Sequence, residues 1–421
     1  FGAPVAAGMG AWMSGVLAGA RRVLQGCWAA LPASKCPRLR RRPDDEGRQP
    51  PAVPSGPREG TDGERRGPAG PVADSPREAP PKAPERGEPW HVEQGRQLRR
   101  RSVAEAYPEM ALHKELFAVD EIDFWFVRGF REALSRWQAS GDPRDIDVAK
   151  LPDVRLEAPG IVSFSCLTGH VCDMLLEETA HYREAGMPQR APNSMNNYGL
   201  VLNEVGMRPV FSAVLERYLS GVGARLFGSD DVRASQLHGQ DLGVDDWGGS
   251  SLSSHHTFVV RYRPDEDRHL DMHIDDCDVT FNFGLMDGGD YSGSDLAFCG
   301  MKGSAELRRR MHTYRHVKGR CVVHSGKRRH GALDIEAGER SSLIMWTKSD
   351  SYRWTVEYQL KVAGPSQPEK LPPDAVCLSY THDYDYDSWV TKLNRQSTAP
   401  AVAEASLDSA GKPLLPVAAK S

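Results

Sequence analysis

Three residues that are far apart in the chain have the types and spacing of a metal site. His273 and Asp275 are separated by one residue, and His330 follows 57 positions after His273. On an extended strand, side chains alternate between two faces, so His273 and Asp275 would point to the same side. Two imidazoles and one carboxylate that hold one side of a metal, with other positions open, suit an Fe(II) centre that binds a co-substrate and oxygen together. The sequence therefore predicts a metal centre with these three ligands.

Neighbouring residues compete for these roles. His269 and Asp271 have the same spacing as His273 and Asp275, and on an unbroken strand Asp271 would face the same way as the later pair. We favour the later pair because it lies at the end of the strand, just before an acidic turn, and sites tend to be built where strands end.

The distal ligand has two candidates. His324 ends an apolar run that reads as a buried strand, and the basic turn at residues 325–329 then leads to His330 beside Gly331. On the residues alone, either histidine could complete the centre.

The segments around these residues form an ordered pattern. The segments are FVVRY at 258–262, DMHIDD at 271–276, GRCVVHSG at 319–326, HG at 330–331 and GERSSL at 338–343. This pattern resembles the 2-oxoglutarate- and Fe(II)-dependent oxygenases whose catalytic domain is like that of prolyl 4-hydroxylase alpha subunits. Among them it is similar to the "2-oxoglutarate and iron-dependent oxygenase domain-containing" proteins. The resemblance covers residues 105–395 loosely and 255–355 tightly.

The resemblance implies roles for further residues. In this family, a basic residue about ten positions after the distal histidine binds the far carboxylate of 2-oxoglutarate. Arg340 stands ten residues after His330, which selects His330 over His324. An arginine is suited to this role, since its planar fork can meet a carboxylate with two parallel hydrogen bonds. Ser342, two residues further on, and Tyr262, on the strand before the metal pair, could each add a hydroxyl.

The resemblance also implies cofactors, partners and a reaction. Fe(II) is the expected metal, 2-oxoglutarate and O2 are the expected co-substrates, and ascorbate is the expected accessory reductant. Oxidation of 2-oxoglutarate to succinate and CO2 would be coupled to hydroxylation of an unactivated C–H bond. A protein or peptide side chain is the expected target.

The predicted fold is an all-β core, a double-stranded β-helix of the jelly-roll kind, with an N-terminal helical support and disordered tails. We expect a disordered arm at residues 1–104 and the helical support at 105–254. The double-stranded β-helix would cover residues 255–362, and residues 363–421 would form a largely irregular extension.

Hydrophobic patterns indicate individual elements. Residues 111–138 read as one long helix or two, and residues 172–184 and 210–227 read as further helices. After Arg340, residues 343–346 and 354–362 read as closing strands of the β-helix.

Three polar segments have two interpretations each. The loop at residues 193–198 is explained by ordinary turn chemistry or by contact with a substrate. The basic residues 308–310, with Lys318 nearby, indicate a solvated surface or a contact with an acidic substrate. Residues 382–387, HDYDYD, look like metal ligands but lack a second histidine, so we interpret them as a charged turn.

Composition narrows the possible environments and partners. The formal net charge of -4 gives no strong nucleic-acid signal, and no run of about 20 apolar residues predicts a transmembrane segment. Residues 1–43 contain no acidic residue, which is compatible with an N-terminal targeting peptide. Eight cysteines without a Cys-x-x-Cys pair predict reduced, buried thiols and favour an intracellular compartment, cytoplasmic or organellar, while the secretory lumen stays open.

Two other functions compete with the hydroxylase hypothesis. A catalytically silent β-helix would act as an interaction module, but the presence of all three candidate ligands argues against it. A nucleic-acid demethylase would share the iron chemistry and would need a basic groove with aromatic residues for a flipped base, which the bulk charge does not favour.

Overall fold

The computed structural model describes residues 90–244 and 247–398. The strands are β1 Arg155–Ala158, β2 Ile161–Ser165, β3 Gly199–Val201, β4 Gln236–Leu237, β5 Gln240–Asp241, β6 Ser254–Tyr262, β7 Leu270–His273, β8 Val279–Gly284, β9 Tyr291–Gly293, β10 Leu296–Met301, β11 His312–Tyr314, β12 Arg320–Ser325, β13 Arg328–Ala332, β14 Ile335–Gly338 and β15 Arg340–Lys348. The α-helices are α1 Trp90–Met110, α2 Arg128–Ser140, α3 Gly169–Glu184, α4 Arg208–Val214, α5 Ser220–Phe227, α6 Asp350–Arg353, α7 Val356–Ala363 and α8 Tyr386–Thr398. A π-helical turn, Leu215–Leu219, joins α4 to α5. Short 3-10 helices cover Lys114–Phe117, Val119–Trp125, Pro143–Asp145, Val148–Lys150, Leu202–Glu204 and Ala375–Cys377.

Two antiparallel sheets form the centre of the fold. The larger sheet has the strand order β1-β2-β12-β8-β15-β6-β3, and the smaller has the order β11-β10-β13-β7. Seven strands alternate between the sheets along the chain: β6, β8, β12 and β15 belong to the larger sheet, and β7, β10 and β13 belong to the smaller. Strand β11 extends the edge of the smaller sheet, and β9 pairs with β14 separately. This alternation is the winding of a jelly roll, so the prediction of a double-stranded β-helix is confirmed.

The two sheets pack face to face around one apolar cluster. Phe258 and Val260 from the larger sheet share this cluster with Leu296, Phe298 and Ala332 from the smaller sheet. Antiparallel strands with alternating side chains allow the opposite face of the larger sheet to bury a second layer. The space between the sheets is therefore lined by one set of alternate residues, and the support region covers the other set.

The support region contributes strands as well as helices. We predicted a helical segment at residues 105–254, but β1, β2 and β3 lie within it and extend the larger sheet at both of its edges. Its helices then pack on the outer face of that sheet, where Phe281 and Phe283 of β8 join a core with Trp125 and Phe130. The helical support is thus part of the same packing unit as the β-helix.

Some predicted boundaries and elements differ from the structure. Residues 111–138 form 3-10 turns followed by α2, rather than one long helix or two. Helix α1 begins at Trp90, inside the arm predicted for residues 1–104. The rest of that arm, with the predicted targeting segment, and the tail after residue 398 lie outside the described residues.

The second predicted closing strand, residues 354–362, is wrong. Most of it belongs to helix α7, whose N-cap residue Thr355 accepts a hydrogen bond from the Tyr358 backbone N–H at 3.2 Å. No residue of α7 is buried, so its apolar residues did not mark a core strand. A threonine at the N-cap position favours the start of a helix, because its side-chain oxygen accepts from the backbone N–H three residues later.

The cysteines are only partly as predicted. Cys166, Cys172, Cys277 and Cys321 are free and buried, whereas Cys299 forms a disulfide with Cys377, 78 residues later. The prediction of reduced thiols is therefore wrong for this pair, because no local spacing connects two cysteines that meet only in the folded chain.

The disulfide fastens a C-terminal segment, residues 367–385, which we call the strap. Backbone N–H groups of Gln367, Lys370 and Asp374 donate to carbonyls at residues 303–308. The strap thus follows the surface of the small sheet beside β10.

No helix in the described part of the chain is long and apolar enough to cross a membrane.

The support region and the larger sheet share one core, so we expect a buried residue of the support region to stabilise the whole fold. Phe130 is fully buried and stacks on Phe164 of β2, with ring centroids 5.6 Å apart. We expect Phe130→Ala to lower the free energy of unfolding by about 3–5 kcal/mol, measured by urea denaturation. Leu112→Ala, at a position that is 53% exposed, should change it by less than about 0.5 kcal/mol. Equal losses in the two variants would contradict the shared core.

Candidate metal centre

The ends of two neighbouring strands bring the candidate ligands together. His273 is the last residue of β7 and lies directly opposite His330 of β13 in the antiparallel register. Asp275 follows β7 by two residues, and its backbone N–H donates to the carbonyl of Gly326 at 2.8 Å. His273, Asp275 and His330 are all buried, and one ligand atom from each lies within 4.8 Å of the others. The structure therefore brings the three predicted ligands to one point.

A β-bulge removes Asp271 from this site. The register pairs His330 with His273 but Ala332 with Leu270, so two residues of β7 stand opposite Gly331 alone. The extra residue breaks the alternation, and Leu270 and His273 line the cavity while the Asp271 carboxylate bonds elsewhere. The expectation that an unbroken strand would align Asp271 with His273 does not apply here.

Hydrogen bonds fix the orientation of both imidazoles. The Nδ1–H of His273 donates to the carbonyl of Asp271 at 2.8 Å, and the Nδ1–H of His330 donates to the carbonyl of Arg328 at 2.9 Å. A carbonyl only accepts, so each ring has its proton on Nδ1 and a free lone pair on Nε2. These Nε2 atoms lie 3.3 and 3.6 Å from the Asp275 carboxylate oxygens. Metal-ligating histidines are held in this manner.

The charges at this point suit a cation. Burial lowers the pKa of His330 to about 3, so its imidazole is neutral and able to ligate at neutral pH. Burial opposes ionisation of Asp275, but a positive charge at His330 or His273 would favour the carboxylate more strongly, and the pKa of this carboxyl lies well below its usual range. The Thr280 hydroxyl donates a hydrogen bond to the Asp275 carboxylate at 2.5 Å. Two imidazole nitrogens and one carboxylate are a donor set that fits Fe(II).

The two decoy histidines occupy different places. His269 is 59% exposed and lies 3.0 Å from Asp334, away from the centre. His324 is buried beside the centre, with its ring centroid 4.5 Å from that of His330. Its Nδ1–H donates to the carbonyl of Ser325, and its Nε2 has no hydrogen-bond partner within the described ranges. His324 is a neighbour of the ligands rather than one of the group of three.

The same cavity contains a buried cation at another point of its lining. Arg340 begins β15 and is 2% exposed, and its guanidinium lies 4.5 Å from the ring centroid of Tyr262. Its Nε has no hydrogen-bond partner, and no acid within the described residues pairs with it. Burial lowers the pKa of Arg340, though not enough to discharge a guanidinium. A buried cation without an acid is a site for an anionic ligand.

A histidine that sequence reasoning missed holds Arg340 in place. His316 is 1% exposed, and its Nδ1 accepts from Arg340 Nη1 at 3.0 Å. Its Nε2–H donates to the side-chain oxygen of Asn282 at 2.9 Å, and Asn282 itself lines the cavity. Burial, with Arg340 and Arg315 nearby, keeps the pKa of His316 far below its usual value, so it remains a neutral acceptor. No sequence motif identifies His316, which lies between β11 and β12 and outside the regular strands.

The loop at residues 193–198 meets the cavity. Asn193 and Asn196 line it, and the Asn196 amide donates to the Tyr262 hydroxyl at 3.2 Å. Tyr262 also lines the cavity. Ser342 is fully buried with an unpartnered hydroxyl in the described structure, but it does not line the cavity.

Substitution of single residues tests the ligand assignment. His273→Ala or Asp275→Ala should abolish Fe(II) retention, because two remaining protein ligands hold the metal weakly. Metal content is measured by elemental analysis of protein loaded under anaerobic conditions.

Two variants are the controls for this test. His269→Ala should retain iron, since that side chain is exposed and remote. His324→Ala should also retain it, since His324 is outside the group of three. Loss of iron in either control would overturn the assignment.

Comparisons with known proteins agree with the motif. Residues 103–230 match the family model described as the OGFOD2-like domain. The 2-oxoglutarate and iron-dependent oxygenase domain-containing protein ICU11 of Arabidopsis thaliana is 30% identical over 60% of this chain and 59% of its own length. The 2-oxoglutarate and iron-dependent oxygenase domain-containing protein 2 of Xenopus tropicalis is 35% identical over 43% of this chain and 47% of its own.

One solved structure completes the comparison. A prolyl 4-hydroxylase from Pseudomonas putida aligns at 16% identity over 45% of this chain and 91% of its own, with a TM-score of 0.31. The chain spans 47% and 59% of the lengths of the two curated relatives. The resemblance read from the motifs is thus confirmed: the chain is similar to the 2-oxoglutarate and iron-dependent oxygenase domain-containing proteins, and its residues 103–230 match the OGFOD2-like domain model.

Proposed function

We propose that this protein is an Fe(II)- and 2-oxoglutarate-dependent dioxygenase that hydroxylates a protein or peptide side chain and releases succinate and CO2. One observation carries the proposal. A single cavity is lined both by the convergent group His273, Asp275 and His330 and by Arg340, a buried cation without an acidic partner in the described chain.

The metal side of the cavity would be held by the three predicted ligands. Bound Fe(II) would supply the activation of O2 that couples oxidation of 2-oxoglutarate to oxidation of the substrate. The chain's own part is to present Nε2 of two oriented imidazoles and to keep Asp275 ionised. Thr280, bonded to Asp275, limits the rotation of the carboxylate. The proposal includes ascorbate as the accessory reductant of the iron.

The other side would bind the co-substrate. Arg340 would receive the far carboxylate of 2-oxoglutarate, with the Tyr262 hydroxyl as a second donor. The neutral His316 takes one guanidinium hydrogen at Nη1 and leaves the remaining N–H groups for the ligand. A guanidinium held in this way is preorganised for a carboxylate, so little side-chain entropy is lost on binding.

The lining supports a peptide rather than a nucleic acid as substrate. Apart from the three candidate ligands and Arg340, the residues that line the cavity within the described ranges are neutral amide, hydroxyl, aliphatic and aromatic groups. Asn193, Asn196 and Trp346 are among them, and amide side chains match the donors and acceptors of a peptide backbone. Binding to a phosphate backbone would require several lysines or arginines there.

Turnover tests the proposed activity directly. Purified protein with Fe(II), 2-oxoglutarate and ascorbate should release succinate, and Asp275→Ala should release none, because the ligand set is incomplete. A mass-spectrometric search for +16 Da side chains in a proteome incubated with each form would then identify the substrate. Equal succinate release by the two forms would refute the proposal.

Arg340 gives a second test. We expect Arg340→Ala to weaken 2-oxoglutarate binding by about 1.5–3 kcal/mol, roughly 10- to 150-fold, because a charge-assisted hydrogen bond is lost. Calorimetric titration with Mn(II) in place of Fe(II) measures this without turnover. Arg128→Ala is the matched control, since Arg128 pairs with Glu132 at the surface and should not affect affinity. Unchanged affinity in Arg340→Ala would assign the carboxylate to another residue.

A further inference from the structure

We propose that the strap, residues 367–385, is a positioning element that orients both histidines of the metal centre. The inference rests on the proposed function, because it concerns the same metal site. It assigns a role to a segment that is far from the ligands in sequence and does not line the cavity.

The first contact is to the strand that carries His273. The Asp271 carboxylate, turned away from the cavity by the bulge, accepts hydrogen bonds from the Ser379 hydroxyl at 2.8 Å, the Thr381 backbone N–H at 2.8 Å and the Thr381 hydroxyl at 2.7 Å. The carbonyl of this same Asp271 receives the Nδ1–H of His273. The strap therefore holds the residue that fixes the tautomer and ring direction of the first histidine.

The second contact is to the strand that carries His330. Arg329, which is 5% exposed, donates from Nε to the carbonyl of Cys377 at 3.0 Å and from Nη2 to Asp383 at 2.8 Å. Arg329 stands between His330 and Arg328, whose carbonyl receives the Nδ1–H of His330. The strap thus holds Arg329, the residue directly after the Arg328 carbonyl that orients the second histidine.

A covalent and apolar anchor joins these two contacts. Cys377 is bonded to Cys299 of β10, and both are fully buried. Met272, the residue between Asp271 and His273, packs in the same small cluster as the two cysteines. The anchor therefore lies beside both contacts, since Cys377 also accepts from Arg329 and Met272 is next to Asp271.

Charge pairs extend the attachment along the strap. Arg308 pairs with Glu369 at 2.8 Å and with Asp385 at 2.7 Å, and Arg309 pairs with Asp374 at 2.8 Å. A segment that only covered the sheet would need no hydrogen bonds to a charged side chain of each ligand strand. The two contacts at Asp271 and Arg329 instead adjoin the two carbonyls that orient the ligands.

The test removes strap donors without changing the ligand strands. In Ser379→Ala/Thr381→Val, the Asp271 carboxylate loses both hydroxyl donors. Co(II) serves as the spectroscopic probe of the site, and its affinity is measured by titration of the full chain. We expect affinity to fall about tenfold, the lower end of the range for partners that orient metal ligands. The visible band of the Co(II)-saturated variant should also change, because the position of an imidazole has changed.

A second variant and a control separate positioning from stability. Cys377→Ala removes the covalent anchor and should lower Co(II) affinity in the same direction. Tyr384→Ala alters a strap side chain that is 96% exposed and should leave affinity and spectrum unchanged. Loss of structure alone would lower the folded fraction in urea denaturation but leave the spectrum of the saturated protein as in the wild type.

The outcomes distinguish this inference from the proposed function. Wild-type Co(II) affinity and spectrum in both strap variants would overturn the positioning role and leave the metal site intact. Failure of the unaltered protein to bind Co(II) would instead refute the proposed function. Reduced affinity with an unchanged saturated spectrum would mean that the strap contributes stability only, and this would also overturn the inference.

Discussion

Two opposite charges buried in one cavity constrain this structure more than any other feature. The Asp275 side chain is 2% exposed, and its close partners are a hydroxyl and two imidazoles, one of which burial keeps neutral. Arg340 is equally buried and faces a neutral histidine and a phenol ring instead of an acid. Uncompensated buried charges cost several kcal/mol each. A metal cation with an anionic chelator would neutralise both at once, so the cavity is complementary to a pair of ligands rather than to one.

Strand register decides which residues take part in that cavity. The antiparallel pair of His273 and His330 brings together residues that are 57 positions apart, and a single bulge then excludes Asp271. Excluding this carboxylate matters because a second acid beside a bound metal would change the charge of the donor set. The bulge also gives Asp271 a different task, since its carbonyl orients His273 while its carboxylate bonds the strap. One inserted residue therefore separates a ligand from its support.

The sequence predicts the parts of the site that follow local rules. Period-two alternation predicted that His273 and Asp275 share one side, although Asp275 lies two residues beyond the end of β7, and the family resemblance selected His330 and Arg340. Alternation could not predict the bulge, because an inserted residue is a property of the pairing between two strands. His316 was missed for a similar reason, since its role follows from a contact with Arg340 across the fold. The apolar residues at 354–362 suggested a strand because a short pattern does not distinguish an exposed helix from a buried strand.

The strap shows why charged segments are difficult to interpret one at a time. Residues 308–310 read as a solvated basic surface, and residues 382–387 read as a charged turn, each on its own composition. In the folded chain Arg308 binds Asp385, and Asp383 receives the buried guanidinium of Arg329. Such pairs span more than 50 residues, so neither composition nor periodicity connects them. The acidic turn therefore pairs with basic residues beside the strands that carry the candidate ligands, and the Cys299–Cys377 disulfide links the same two regions.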